Sequence, residues 1–225
     1  MLIEKGKWIA VLGGGQLGKM LCESARRQGY KTMVLEPSKV ACAALEADLH
    51  LAKPYDDKES LLYIAKNSSV ITYEFENVPS EAIDILEENG GYIPQGRRPL
   101  YISQHRFREK SSINKLGIKT AEFRAVTDRE SFEKAVEEIG YPSILKTSMG
   151  GYDGKGQWVL RTREDFEKAA SELEEREYIL EKMVDFKCEL SCIAVKSTDG
   201  SVGVFPVEEN IHKNGILHIT IAPAR

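Results

Sequence analysis

The sequence predicts an α/β protein: a doubly wound parallel sheet in its first half, and an α+β arrangement with antiparallel strands in its second. Three observations carry this reading. Short apolar runs alternate with helically spaced segments over the first ninety residues, a second glycine-rich loop joins two strands, and from Tyr178 onward strands follow one another without helices.

The elements follow in order. Trp8 to Leu12 is a short apolar strand ending in Gly13-Gly14-Gly15-Gln16-Leu17-Gly18, and the spacing of Leu17, Met20, Leu21 and Ala25 predicts a helix that Gly29 ends. A strand from Thr32 to Leu35, closed by Glu36-Pro37, completes one βαβ unit. Strand 49–52, helix 58–66, strand 70–75 and helix 80–88 continue the alternation of a parallel sheet covered on both faces. The two prolines and the glycine between Ile93 and Pro99 mark a boundary, which places the edge of the first domain near Arg97.

Beyond it the pattern predicts helix 105–116, strand 121–126, a helix from Asp128, strand 143–147 and strand 158–160. Helix 164–175 and strands 178–183, 188–196, 202–207 and 215–222 complete the count, with Thr198-Asp199-Gly200-Ser201 as a hairpin turn. The closing strands without a helix suggest an incomplete third unit.

Composition narrows the function. The 225 residues carry 31 Lys+Arg against 35 Asp+Glu, a formal charge of −4, with no basic block of the kind nucleic-acid partners require. No apolar run approaches the roughly 20 residues of a membrane helix, and the start runs straight into the first strand, which reads as a cytoplasmic chain. Cys22, Cys42, Cys188 and Cys192 form no CxxC pair, so core or semi-buried filler is their expected role, with a metal or redox site as the alternative.

Two glycine loops carry the chemistry. Gly13, Gly15 and Gly18 fit G-x-G-x-x-G between strand and helix, with Glu36 about 20 residues on. Amides at a helix N-terminus accept an anion, so the loop reads either as a nucleotide or phosphate site, NAD included, or as a tight crossover needing glycine for packing. The second loop, Met149 to Gln157, packs four glycines into nine residues between two strands. It has no helix dipole and would hold phosphates with its own amides and Lys155, aided by Lys146 on the preceding strand; an ordinary hairpin is the alternative. Tyr152 and Asp153 favour the lid. Downstream, the edge of strand 178–184, with Glu181, could read an adenine, and Glu189 could take the ribose hydroxyls.

Four segments carry a resemblance: Gly-Gly-Gly-Gln-Leu-Gly-Lys-Met at 13–20, Thr-Tyr-Glu-Phe-Glu-Asn-Val at 72–78, Gly-Gly-Tyr-Asp-Gly-Lys-Gly-Gln at 150–157 and Glu-Asn-Ile-His-Lys-Asn-Gly-Ile-Leu at 209–217. In this order they resemble the N5-carboxyaminoimidazole ribonucleotide synthetases of the ATP-grasp superfamily, over essentially the whole chain. The resemblance implies a pre-ATP-grasp substrate domain at 1–97, an ATP-grasp lid domain at 98–184 and the first strands of the ATP-grasp C domain at 185–225. It implies an ATP-dependent carbon–nitrogen ligase of purine biosynthesis, in which ATP, bicarbonate and 5-aminoimidazole ribonucleotide give ADP, phosphate and the N-carboxylated ribonucleotide through carboxyphosphate. Such chemistry rests on positioning and charge neutralisation, with water excluded.

By the same resemblance Arg106, Lys146, Gly151, Tyr152, Asp153, Gly154, Lys155, Gly156, Gln157, Glu181, Lys182, Met183, Val184, Glu189 and His212 are the ATP contacts. Tyr152, Asp153 and Lys155 are the catalytic candidates, and Gln16, Leu17 and Glu74 match substrate positions in the related glycinamide ribonucleotide transformylase. The ligands for Mg²⁺ are expected beyond Arg225, so no metal ligand is assigned, and a homodimer rests on the resemblance alone. Two other readings stand beside the ligase: a nucleotide-binding module without turnover, and an NAD-dependent oxidoreductase built on Gly13, Gly15, Gly18 and Glu36.

Overall fold

The computed structural model describes residues 3–150, 156–213 and 215–225. The chain divides into two units, Met1–Gln104 and His105–Arg225. In the first, β1 (Trp8–Leu12), α1 (Gln16–Arg27), β2 (Lys31–Leu35), β3 (Leu49–Leu51), α2 (Lys58–Asn67), β4 (Val70–Tyr73), α3 (Ser80–Glu88) and α4 (Arg97–Ser103) follow one another, with a 3-10 turn at Cys42–Leu45. The strand order is β3-β2-β1-β4 and every pair is parallel, as the alternation predicts.

Alternation within the strands explains the two-sided cover. Val11 and Val34 point to one face, where Cys22 of α1 and Ala43 pack on them. Ala10, Leu12, Met33, Leu35 and Ile71 point to the other, under Leu61 and Ile64 of α2 and Ile83 and Leu86 of α3. The sheet reverses direction at β1 and β4, and the crevice beyond their carboxyl ends is where ligands of such folds bind.

The domain edge expected near Arg97 moves to Gln104. Gly96 and Pro99 look like a break, but Pro99 falls in the first turn of α4, where a missing N–H removes no helical bond, and Leu100 is buried in the first core.

The second unit holds α5 (Arg106–Lys115), β5 (Phe123–Val126), α6 (Arg129–Ile139), β6 (Ser143–Thr147), β7 (Gln157–Leu160), α7 (Arg163–Ser171) and β8 (Tyr178–Lys182). Its four-stranded sheet runs β5-β8-β6-β7, antiparallel throughout. Reciprocal caps start both covering helices, Asp128 with Ser131 on α6 and Thr162 with Asp165 on α7. Phe132 and Phe166 stack at 4.6 Å between those helices and close the core over Leu145, Tyr178 and Leu180. One sheet face is thereby covered by α6 and α7, and the opposite face carries Lys146, Ile179 and Glu181.

The last strands are β9 (Glu189–Ser191), β10 (Ala194–Lys196), β11 (Val202–Val204), β12 (Glu208–Lys213) and β13 (Ile216–Ile221). The single strand expected at 188–196 is two strands with different partners: β9 pairs with β12, and β10 with β11. The hairpin turn stands as predicted, with Asp199 accepting from the Ser201 amide at 2.9 Å. Strand β12 was not foreseen, because Glu-Glu-Asn-Ile-His-Lys lacks apolar alternation. Cys22 is buried, as expected of filler; Cys42, Cys188 and Cys192 are exposed, and all four are free thiols.

Candidate functional site

At the end of β1 the chain turns so closely that side chains would not fit. A Cβ on Gly13, which sits at φ +111°, would lie 2.5 Å from Glu74 Cγ, and one on Gly14 2.5 Å from Glu36 Cγ. The space is filled by the protein's own carboxylates. The Gly14 amide donates to Glu36 Oε2 at 3.0 Å and the Gly15 amide to Glu74 Oε1 at 3.2 Å, while Tyr55 donates its hydroxyl to Glu36. Burial pushes the Glu74 carboxyl above its usual range, and Glu36 and Glu76 push the same way against the Gly15 amide. Burial and the Glu36 carboxylate likewise hold Tyr55 protonated.

This arrangement overturns the oxidoreductase reading. The acid that would take the adenosine ribose of NAD is already held by Gly14 and Tyr55, and the amides that would meet a pyrophosphate already carry carboxylates. Of the expected substrate residues, Gln16 and Leu17 are exposed at the first turn of α1, and half-buried Glu74 closes on the loop beside them.

The second unit builds its site on the sheet face opposite α6 and α7. Lys146 donates to Glu181 Oε2 across the β6–β8 pair at 2.9 Å. Lys110, on α5, reaches the same oxygen at 3.4 Å and lies over the Phe123 ring. The sequence reading missed Lys110, because a lysine on a polar helix looks like a solvated one.

Arg106 opens α5 one turn earlier; its amide donates to Ser148 O at 3.0 Å and its Nε to Thr147 O at 3.2 Å. Buried His105 bonds Glu177 at 2.6 Å, and the Ser148 amide donates to Glu177 O, so the start of the glycine-rich segment is tied from two sides. At its other end Gly156 has φ +69° and accepts from the Thr147 amide at 2.9 Å, and Gln157 stands opposite Lys146 in the register. Gly151, Tyr152, Asp153, Gly154 and Lys155 lie outside the described residues.

One expectation needs correction. Strand β8 is interior rather than an edge: the Lys182 amide donates to Glu122 O and the Met183 amide to Pro142 O, so neither amide is offered to a ligand. The Lys182 ammonium turns to Ile139 O at 3.1 Å and Tyr141 O at 3.3 Å, where it meets the carbonyl end of α6. Val184, past the end of the strand, is exposed. Glu189 and His212, both expected at the site, are brought together on β9 and β12 at 2.7 Å.

Among the described residues no group of three His, Cys, Asp or Glu side chains stands ready for a metal ion. Glu181 is held by two lysines and Glu189 by His212, so these carboxylates do not fit a Mg²⁺ site. No helix among the described residues is long and apolar enough to cross a membrane.

An antiparallel sheet whose β6–β7 hairpin carries the glycine-rich segment, with a lysine–glutamate pair on one face and a parallel-sheet unit before it in the chain, has the two-part architecture of the ATP-grasp class. The ATP-grasp domain model matches residues 111–225 and the ribonucleotide synthetase preATP-grasp model residues 6–104, and the chain belongs to the ATP-grasp family. Among curated proteins it is 43% identical over 224 residues to the N5-carboxyaminoimidazole ribonucleotide synthase of Bacillus subtilis (strain 168), covering 100% of this chain and 59% of that one.

The crystal structure of N5-carboxyaminoimidazole synthetase from Staphylococcus aureus complexed with ADP is similar with a TM-score of 0.95 and 38% identity, covering 99% of this chain and 60% of that one. The Aspergillus clavatus enzyme, in complex with ADP and 5-aminoimidazole ribonucleotide, has a TM-score of 0.84 and 30% identity, over 98% and 58% of the two chains. The chain thus spans about 59% of the length of the curated relatives it matches.

Proposed function

We propose that this chain supplies the nucleotide-binding and ribonucleotide-binding parts of an ATP- and bicarbonate-dependent carboxylation of 5-aminoimidazole ribonucleotide, carried out in the cytoplasm with Mg²⁺. The observation that carries the reading is the Lys146–Glu181 pair at the root of the glycine-rich hairpin, a charge placed for phosphates on the sheet face opposite α6 and α7. The division at residue 184, between a lid and the first strands of a larger unit, belongs to the same proposal.

In the reaction a bicarbonate oxygen takes the γ-phosphoryl group of ATP and ADP leaves. The exocyclic amine of the ribonucleotide then attacks the carbon of carboxyphosphate, phosphate departs, and the amine loses a proton. Lys146 and Arg106 offset phosphate charge without moving far, because β6 and the first turn of α5 hold them. Gly151 to Gln157 close over the phosphates, Val184 lies at the adenine, and Glu189 with His212 holds the ribose. Tyr152 and Asp153 stand near bicarbonate and the amine. Gln16, Leu17 and Glu74 hold the ribonucleotide, Glu74 as an acceptor for its amine.

Calorimetry with ADP tests the site. Lys146→Ala weakens binding by about tenfold or more, the scale of a lost charge-assisted hydrogen bond; unchanged affinity refutes the assignment. Asp153→Ala lowers turnover with ATP affinity kept. A second reading is a nucleotide-binding module without turnover. Phosphate release from ATP that needs both bicarbonate and 5-aminoimidazole ribonucleotide decides for the ligase, and ADP binding with no release decides for the module.

A further inference from the structure

We infer that Lys110 is a positioning residue of the nucleotide site, holding the carboxylate of Glu181 so that the charge of Lys146 is available to a phosphate. The inference rests on the nucleotide reading of this face.

Glu181 is 9% exposed in its side chain, and a carboxylate so enclosed needs a partner at all times. With Lys146 as its only partner, the pair would be neutral. A phosphate drawing Lys146 away would then leave a buried, uncompensated anion beside the ligand. The second ammonium removes that conflict. Lys110 meets the same Oε2 atom, at 3.4 Å against 2.9 Å for Lys146, and both lysine side chains are about as enclosed as each other, at 19% and 22% exposure. One carboxylate between two ammonium groups leaves one net positive charge on the face. When Lys146 turns to a phosphate, Glu181 keeps Lys110.

The position of Lys110 is itself fixed by packing. Phe107, three residues earlier on α5, meets Phe123 edge-on at 5.2 Å, and Phe123 stands opposite Glu181 in the β5–β8 register. The Lys110 ammonium lies 5.9 Å from the same ring. The helix is thereby held on the strand that borders Glu181. Arg106, one turn before Lys110, bonds Thr147 O, so the charged side of α5 faces the site at both turns.

The test is calorimetric binding of ADP and, in parallel, of adenosine, which has no phosphate. Thermal melts first establish that each variant is folded, and Lys110→Gln replaces Lys110→Met if the latter is not. Lys110→Met lowers ADP affinity by about tenfold, on the scale of one unit charge at this spacing, and leaves adenosine binding unchanged. Lys110→Arg restores most of the loss. In a Glu181→Gln background, where no buried anion needs a partner, Lys110→Met has little effect on ADP.

Unchanged ADP affinity in Lys110→Met overturns the inference. So does an equal loss for ADP and adenosine, which marks a packing role, or a loss that persists undiminished beside Glu181→Gln. Failure of the unmodified chain to bind ADP is seen before any variant is made; it overturns the nucleotide reading and this inference with it. A Lys110 failure with normal ADP binding by the unmodified chain overturns this inference alone.

Discussion

Gly18→Ala reverses an ordinary rule. Alanine in place of glycine inside a helix stabilises it by about 1 kcal/mol, and Gly18 lies in α1. Yet a Cβ there would stand 2.5 Å from the carbonyl oxygen of Gly13 and 3.2 Å from its carbon. A carbon approaches such an oxygen to about 3.3–3.6 Å, so helix and loop must part by most of an ångström.

The loop cannot yield easily. The Gly13 amide donates to Leu35 O at 3.0 Å, and Glu74 and Phe75 fill the space on its other side. An overlap of this size against backbone falls in the upper part of the overpacking range, about 2–3 kcal/mol, so after the helix gain of about 1 kcal/mol the substitution destabilises the first unit by about 1–2 kcal/mol. In urea this moves the midpoint down by about 0.5–1 M. Trp8 lies in the first unit and Trp158 in the second, so fluorescence of Trp8 in a Trp158→Phe background reads the affected unit alone. A midpoint equal to or above that of the unmodified chain refutes the close-packing argument.

Other outcomes follow from single contacts. The folded Glu74 carboxyl titrates above its unfolded value, so its contribution to stability is full at low pH and is lost as pH rises through the folded pKa. Glu74→Gln therefore raises the Trp8 midpoint at pH 7, and the advantage shrinks as pH falls toward 4, near the unfolded carboxylate pKa of about 4.3; a constant difference across that range counts against the burial argument. Lys182→Met removes the ammonium from the carbonyl end of α6 and destabilises the second unit by about 1 kcal/mol. ADP affinity is retained in that variant, and a large loss of ADP binding returns Lys182 to the nucleotide site.

The first unit was legible where local signals agreed with burial. The apolar runs of β1 and β2, with helical spacing between them and Gly29 stopping α1, gave the strand–helix order directly. Helix α4 was hidden because Pro99 breaks a helix in its interior but not in its first turn, and sequence alone does not say where that turn begins. The run 188–196 alternates from Cys188 to Cys192 and is then apolar through Val195, and the change of partner falls where the alternation stops, a break too short to separate two strands by itself. At the site, Lys146 stood out as a charge in an apolar strand, but its pairing with Glu181 was hidden, since it depends on β6 lying beside β8. Lys110 was invisible, since its role depends on how α5 lies on β5. The edge expected at 178–184 is interior because strand order, which decides what is an edge, is not written in strand composition.

The occupied loop after β1 sets a selection rule for whatever enters the crevice there. An incoming anion must compete with two tethered carboxylates that are always at hand, and displacing either exposes it to the like charge of the other. A molecule that brings N–H donors meets oxygen acceptors already held in place and displaces nothing. The crevice therefore discriminates by what a ligand donates rather than by the negative charge it carries.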